Sequence, residues 1–309
     1  MNLLHLRYAV EVSKTESISK AAENLFMGQP NLSRAIKELE ESLGIIIFER
    51  STRGIIVTAA GEEFLQYARR ILNQVDEMES LYRDGQRNRQ KFSACVPRAS
   101  YIAEAFVEVA SQIDLKQPAE FYYKETNPMH TIDNVCSGDY NLGVVRYQEI
   151  FSEYFAQTFA EKNLEYRPVV TFSYLLLMSE RSPLAKKENI SGEDLQEGIE
   201  VLHGDPYIPS LSAAETKRAP SNDFSDKHIY VFERSSQFAL LHANPNTYMW
   251  VSPIPQRLLD AYHLVQRPAF GSNAYTDVLI YRKDYQLTPF DEIFMAALRK
   301  KRAQLFENN

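Results

Sequence analysis

The chain has 309 residues, of which 44% are apolar and 24% are charged, with 11 Gly and 14 Pro. This length corresponds to about two ordinary domains, and the composition excludes a collagen, a coiled-coil fibre and a wholly disordered protein. No uncharged apolar run approaches the roughly 18 residues of a membrane-spanning helix. Arg7 and Glu11 interrupt the N-terminal apolar stretch, so no signal peptide is expected. These observations predict a cytoplasmic protein without a membrane partner.

The net charge of −7 is unevenly distributed along the chain. Residues 1–91 contain 13 Lys and Arg against 13 Asp and Glu, whereas the remaining residues contain 21 against 28. The acidic excess therefore belongs to the C-terminal part. A basic surface in the N-terminal part has to come from the separation of charges onto particular helix faces.

The first 58 residues show short helical patterns followed by two β-branched runs. Apolar residues at helical spacing predict a first helix, and Ser17 is placed to cap a second one. A third helix is expected to begin at Gln29-Pro30 and to end at Gly44. The runs 45–48 and 54–58 then predict a hairpin. Helices followed by a hairpin in this order indicate a winged helix-turn-helix, a DNA-binding fold.

The predicted third helix has an apolar face and, near its N-terminus, a polar face without acidic residues. Gln and Arg side chains match the hydrogen-bonding edges of bases in the major groove, whereas an acidic residue would be repelled by phosphates. Solvated helices often carry Lys, Arg and Gln, but the acid-free face combined with the basic hairpin favours DNA. The candidate major-groove contacts are Gln29, Pro30, Asn31, Ser33, Arg34 and Lys37, and the candidate phosphate or minor-groove contacts are Arg50, Thr52 and Arg53.

Residues 59–90 predict one long helix with apolar residues spaced 4, 3, 4 and 3 apart, which is a heptad repeat. A helix of about 40 Å needs a partner along one side. The partner is either a second copy of the chain or the chain's own core, and the repeat favours a second copy. The candidate dimerisation residues are Phe64, Ala68, Ile71, Val75, Met78 and Tyr82, with Gly85 ending the repeat.

Residues 1–58 resemble the DNA-binding domain of the LysR-type transcriptional regulators. The matching residues are Leu6, Ser17-Ile18-Ser19-Lys20-Ala21-Ala22, Leu25, Gln29-Pro30-Asn31-Leu32-Ser33, Ile36, Leu39-Glu40, Leu43-Gly44, Phe48-Glu49-Arg50 and Thr58-Ala59-Ala60-Gly61. The resemblance implies a homodimer or homotetramer on a pseudo-palindromic DNA site of the T-N11-A kind, with RNA polymerase as a further partner. It also implies that the helix over 59–90 dimerises.

From residue 91 onward, β-rich runs alternate with helical stretches, which predicts an α/β domain. Val169 to Ser179, followed by Ser182-Pro183-Leu184-Ala185, resembles the entry to the second subdomain of the LysR-type regulators. The LysR resemblance implies a periplasmic-binding-protein-like effector domain over 91–309. Lobe I is expected to contain 91–161 and 266–309, and lobe II 162–265.

Ligands of open α/β sheets bind beyond the carboxyl ends of strands and at helix N-termini, so a cleft between the lobes is the expected effector site. An Arg at a helix N-terminus, such as Arg98, suits a small organic carboxylate or a phosphate, although it can equally be paired within the chain. No cofactor or metal is expected. The candidate effector contacts are Arg98, Ser100, Tyr101, Thr126, Asn127, Arg146, His203, Gly204, Asp205, Ser235 and Ser236.

Other classes of function fit the sequence less well. Cys95 and Cys136 permit a redox-sensing regulator, but buried free cysteines are usually inert. An architectural DNA-binding protein would be basic throughout, unlike this chain. An enzyme would need a nucleophile motif, a metal motif or a Gly-rich phosphate loop, and the sequence has none of these. A non-enzymatic, effector-controlled transcriptional regulator is therefore the prediction.

Overall fold

A computed structural model of the chain describes residues 2–51, 54–82, 89–204 and 224–306. The chain divides into two compact units, one of Met1–Arg89 with Cys136–Asp139 and one of Gln90–Val135 with Tyr140–Asn309. Thr52, Arg53, Gly85 and Asp205, which the sequence singled out, lie outside the described residues.

The N-terminal unit is the predicted helix-turn-helix followed by a hairpin and a long helix. Strands β1 and β2 are antiparallel, with Phe48 opposite Val57. Its elements are α1 (Leu3–Thr15), α2 (Ile18–Asn24), α3 (Gln29–Leu43), β1 (Phe48–Ser51), β2 (Gly54–Val57) and α4 (Ala59–Tyr82). The winged helix-turn-helix prediction is confirmed.

Local signals fix the ends of these helices. The Ser17 side chain accepts a hydrogen bond from the Lys20 backbone N–H at 3.4 Å, as a helix N-cap does. Gly44 ends α3 in the left-handed conformation at φ 69°, which glycine adopts without steric cost. Ala21 and Ala22 are buried between helices, where only small side chains fit.

Two contacts hold the hairpin against the helices. The Glu40 Oε1 atom on α3 accepts hydrogen bonds from the backbone N–H groups of Ile47 at 2.7 Å and Phe48 at 3.0 Å. At the start of α4, a Cβ added to Gly61 would lie 2.3 Å from the Ile47 carbonyl oxygen. Gly61 is therefore required for the close approach of α4 to the chain before the hairpin.

The C-terminal unit contains two five-stranded mixed sheets flanked by helices. The first sheet has the strand order β4-β3-β5-β12-β6, and the second has the order β11-β7-β10-β8-β9. The strands are β3 (Gln90–Val96), β4 (Ala119–Glu125), β5 (Leu142–Gln148), β6 (Leu164–Ser173), β7 (Leu175–Ser179), β8 (Ile199–His203), β9 (His228–Val231), β10 (Thr247–Val251), β11 (Leu264–Arg267) and β12 (Ala274–Arg282). The helices are α5 (Ser100–Ala110), α6 (Pro128–Ser137), α7 (Ser152–Glu161), α8 (Gly192–Gln196), α9 (Arg234–Ala243), α10 (Gln256–Tyr262) and α11 (Pro289–Phe306).

The predicted boundary between the lobes at 161/162 is wrong. Strand β6 pairs along its length with β12 of the first sheet, and β7 belongs to the second sheet. The chain crosses to lobe II at Tyr174 and returns before β12, so the return boundary at 265/266 is also displaced. A continuous apolar run in the sequence hid this change of sheet.

The two crossings between the lobes run side by side. The Tyr174 backbone N–H donates to the Asn273 carbonyl at 3.2 Å, and the Ser272 hydroxyl donates to the Tyr174 carbonyl at 2.5 Å. The rings of Tyr174 and Tyr275 stack with centroids 3.9 Å apart. The crossings therefore form a hydrogen-bonded pair of segments that joins the two sheets.

Candidate functional site

The exposed face of α3 carries the predicted DNA contacts. Leu32, Ile36 and Leu39 are buried in the N-terminal core, and the first turn of α3 contains no acidic residue. Gln29, Pro30, Asn31, Arg34 and Lys37 are exposed, and Ser33 is half-buried. This face is polar and cationic at the helix N-terminus, where the helix dipole adds further positive potential.

An exposed aromatic ring precedes α3 and was not foreseen from the sequence. Phe26 is 97% exposed, and its backbone φ of 52° is a conformation that residues other than glycine rarely adopt. On the hairpin, Arg50 belongs to β1, but its side chain lies outside the described part. The hairpin is tied to the helices by the Ile55 backbone N–H, which donates to the Glu16 carbonyl at 3.1 Å.

Helix α4 buries part of the predicted heptad repeat in its own chain. Ala68 is 1% exposed in the N-terminal core, so it is not available to a partner, whereas Phe64 is half-buried and packs against that core. Ile71 and Met78 are 38% and 54% exposed, together with Tyr67 at 56%. Val75 is half-buried, and the side chain of Tyr82 is not among those described. The assignment of Ala68 to the dimer interface is corrected because the N-terminal core buries this residue, whereas the assignment of Phe64 stays a prediction.

A cavity of about 330 Å³ lies between the lobes of the C-terminal unit. Its first-lobe wall is formed where β3 and β4 end and α5 and α6 begin, and its second-lobe wall by β8, β10 and α9. The lining residues are Pro97, Arg98, Thr126, Asn127, Pro128, Arg146, Tyr174, Glu200, Val201, Leu202, His203, Gln237, Met249, Trp250, Val251, Ser252 and Tyr275. Five of the predicted effector contacts, Arg98, Thr126, Asn127, Arg146 and His203, are among them.

Several of these five side chains already have partners within the chain. The Arg98 Nη2 atom donates to the Phe232 carbonyl across the cleft at 3.2 Å. The Asn127 Oδ1 atom accepts from the His130 backbone N–H at 2.9 Å and so caps α6. Arg98 therefore contacts a backbone carbonyl of the second lobe from the first-lobe side of the cavity.

Arg146 lines the cavity, but its guanidinium is bound to a buried carboxylate. Its Nε and Nη2 atoms donate to Asp277 Oδ1 and Oδ2 at 2.7 and 2.6 Å, and the Tyr101 hydroxyl donates to the same carboxylate. Asp277 is fully buried, and Arg146 also stacks over the Phe172 ring at 4.9 Å. Burial and the Asp277 charge raise the pKa of Tyr101 well above its usual value. The Arg146 charge is therefore compensated before any ligand enters.

The remaining predicted effector contacts do not line the cavity. The Tyr101 side chain, in the first turn of α5, is completely buried, and the Ser100 hydroxyl accepts a hydrogen bond from Arg234 at 2.6 Å. Gly204 is covered by the Phe232 ring, and Ser236 faces outward. The side chain of Ser235 is not described. These assignments are corrected because residues that begin α5 and α9 turn into the lobe or towards solvent.

The sequence missed the polar residues on the second-lobe wall. Gln237 is 3% exposed, and its Oε1 atom has no hydrogen-bond partner among the residues that the structure describes. The buried Nε1 atom of Trp250 has none either. Glu200 is 3% exposed, with its carboxylate 3.9 Å from His228 Nε2. A polar residue inside an apolar strand or helix was the available signal for each of them.

Both cysteines are buried, and they are not joined in a disulfide. Burial raises the pKa of the Cys95 thiol to about 12. Its Sγ–H group faces the carbonyl oxygens of Thr131 and Leu142 at 3.6 and 3.7 Å. Such a thiol is protonated at neutral pH, so the redox-sensing hypothesis is not favoured. Within the described ranges, no cluster of His, Cys, Asp or Glu suits a metal ion, and no helix is long and apolar enough to cross a membrane.

Residues 3–62 match the family described as "Bacterial regulatory helix-turn-helix protein, lysR family". The family match covers the helix-turn-helix, the hairpin and the start of α4. The chain is 24% identical to the Hca operon transcriptional activator HcaR of Escherichia coli K12, over 99% of each chain. It is 31% identical to a probable RuBisCO transcriptional regulator of Thalassiosira pseudonana, over 62% of each chain. The chain therefore matches less than two thirds of that second relative's length.

Solved structures share the fold of both units. ArgP from Mycobacterium tuberculosis superposes with a TM-score of 0.61 at 16% identity, over 98% of this chain and 97% of that one. The structure described as full-length CbnR with its target DNA superposes with a TM-score of 0.54 at 19% identity, over 97% and 100%. These similarities show the fold, a helix-turn-helix followed by a two-lobed α/β domain.

Proposed function

We propose that the chain is a sequence-specific DNA-binding regulator of transcription, controlled by a small organic effector in the cavity between the lobes. The observation that carries the proposal is the exposed, acid-free polar face of α3 within residues 3–62. The relatives named above are called transcriptional regulators, which favours regulation over an architectural role. The regulator acts in the cytoplasm and has RNA polymerase as a further partner.

On DNA, α3 enters the major groove with its N-terminus. The exposed guanidinium of Arg34 reads a guanine through its two acceptor atoms, and Gln29 and Ser33 contact neighbouring base edges. Lys37 is 3.5 Å from Glu41 on the exposed surface, so it holds a phosphate more readily than a base. Arg50, Thr52 and Arg53 contact phosphates or the minor groove from the hairpin.

DNase I footprinting upstream of the protein's own gene, with and without sheared competitor DNA, tests this proposal. Arg34→Ala should weaken binding to the protected site by about 1–3 kcal/mol and relax specificity at one base pair. Arg7→Ala is the matched control, since Arg7 is an exposed arginine of α1 that pairs with Asp76 at 3.0 Å. Equal losses on the protected site and on random DNA would reduce Arg34 to a phosphate contact, and no protected site at all would refute specific regulation.

We also propose that the exposed face of α4 pairs with a second copy of the chain. Ile71 and Met78 lie on one helix face, and both are exposed, so charges placed there leave the chain's own core intact. Ile71→Asp with Met78→Asp should dissociate the oligomer in sedimentation velocity, because a dimer would bury two carboxylates. Leu115→Asp, at a residue that is 95% exposed elsewhere, is the control. A double variant that keeps the oligomeric mass would place the interface elsewhere.

A further inference from the structure

The turn between α2 and α3 places a phenylalanine where a helix end usually has glycine. The Phe26 backbone N–H donates to the Glu23 carbonyl at 3.1 Å. The Met27 backbone N–H donates to the Ala22 carbonyl at 3.0 Å. These two bonds form a Schellman motif, in which the residue after the helix cap takes the left-handed conformation. Glycine and asparagine adopt that conformation readily, whereas a bulky residue such as Phe26, at φ 52°, is an outlier there.

The Phe26 ring gains almost nothing from the part of the chain that the structure describes. It is 97% exposed, whereas the next side chain, Met27, packs against the N-terminal core. Single exposed apolar side chains are common on protein surfaces, but one in an unfavourable backbone conformation is not. Backbone strain of this kind concentrates at functional sites. Exposure and strain at the same residue therefore indicate that the ring contacts a partner.

The position of Phe26 indicates which partner this is. Phe26 precedes Gln29 by three residues, which span at most about 11 Å of extended chain. Gln29 begins α3, whose first turn has no acidic residue and whose exposed face is polar and cationic. When the α3 N-terminus enters a major groove, the preceding turn comes to the edge of the same groove. The apolar group that a base presents there is the C5-methyl of thymine, which phenylalanine side chains contact.

We propose that the Phe26 ring contacts the C5-methyl group of a thymine next to the bases that α3 reads, and so adds a preference for thymine at that position. This inference rests on the proposed function, since it adds a contact to the same DNA interface. The contact is apolar and releases no counterions from the phosphates, unlike the contacts of Lys and Arg. It therefore contributes affinity that does not change the salt dependence of binding.

The experiment uses duplexes that carry the segment protected in the footprint, with each thymine replaced in turn by deoxyuridine. Deoxyuridine lacks only the C5-methyl group. At one thymine, the replacement should weaken binding of the full-length wild type by about fourfold in fluorescence anisotropy, as expected for one buried methyl group. Phe26→Asn should show no loss at that thymine. It should bind the unmodified duplex about tenfold more weakly, with the same dependence of affinity on salt.

The choice of variants separates loss of the ring from a folding defect. Asparagine suits the left-handed conformation, so Phe26→Asn should unfold at the same urea concentration as the wild type or a higher one. Phe26→Tyr keeps an aromatic ring in the same backbone conformation and should retain the sensitivity to deoxyuridine. Leu115→Asn, at an apolar residue of the C-terminal unit that is 95% exposed, is the control and should bind as the wild type does.

Three results would overturn the inference. The first is that Phe26→Asn retains the full loss at the sensitive thymine, and the second is that no thymine is sensitive in the wild type. The third is that Phe26→Asn loses oligomeric mass in sedimentation velocity without DNA, which would assign the ring to a second copy of the chain. The first two results leave the wild-type footprint intact, and the third is measured without DNA. Failure of the proposed function would instead appear as a missing wild-type footprint, so the two failures are distinguishable.

Discussion

Removal of Asp277 should strongly destabilise the C-terminal unit. Its carboxylate is fully buried and accepts three hydrogen bonds, two from the Arg146 guanidinium and one from Tyr101. Asp277→Ala leaves a buried guanidinium without a counter-charge, a defect that typically costs about 3–5 kcal/mol. For a urea dependence of about 2–3 kcal/mol per molar, the unfolding midpoint should fall by about 1–2 M.

The double variant Arg146→Met with Asp277→Ala is the decisive comparison. It removes both charges and leaves chiefly the Tyr101 hydroxyl unsatisfied, which costs about 1–3 kcal/mol. Urea unfolding followed by Trp250 fluorescence should therefore find the double variant more stable than Asp277→Ala. Lys300→Ala provides an exposed-pair control, since Lys300 lies 3.0 Å from Glu108 at the surface and such pairs contribute at most about 1 kcal/mol. Additive losses in the double variant would show that the two side chains do not act as a compensated pair.

Three further predictions concern single residues. Gly61→Ala should lower the free energy of unfolding of the N-terminal unit by about 1–3 kcal/mol or more, because the new Cβ meets the Ile47 carbonyl. Urea unfolding followed by circular dichroism measures this free energy, and a stabilised variant would contradict the contact. Phe26→Gly should raise that free energy by up to about 1 kcal/mol by relieving the left-handed conformation, whereas a loss in the same assay would show that the ring packs. In a Cys136→Ala background, the Cys95 thiol should resist thiol reagents at pH 8, because its pKa of about 12 keeps the thiol protonated. The same thiol should react once urea unfolds the protein. Rapid modification of the native protein would refute the burial of Cys95.

The N-terminal elements were predictable because their signals are local. Ser17, Gly28 with Pro30, and Gly44 mark helix ends within one turn of the residues they act on. The apolar and polar faces of α3 follow from helical spacing alone. On α4, by contrast, the heptad repeat could not distinguish packing against α1 from packing against a second copy of the chain.

The cavity was less predictable because its chemistry depends on long-range register. Arg146 and Asp277 are separated by 131 positions, and they become direct neighbours only because β5 and β12 pair antiparallel. An acidic residue within the apolar run of β12 was a signal for this pair. Ser100 was expected at the cavity because it begins a helix, yet its hydroxyl accepts a hydrogen bond from Arg234. No local sequence pattern encodes this contact.

The position of β12 has a consequence for synthesis on the ribosome. This strand lies between β5 and β6 in the first sheet, yet about 100 residues, the whole of the second lobe, are translated between β6 and β12. At about 5–20 residues per second, the nascent chain carries β5 and β6 without their shared neighbour for about 5–20 s. The second sheet, in contrast, is encoded by one uninterrupted segment, so it can be completed while the first still exposes an open edge to chaperones and to mispairing.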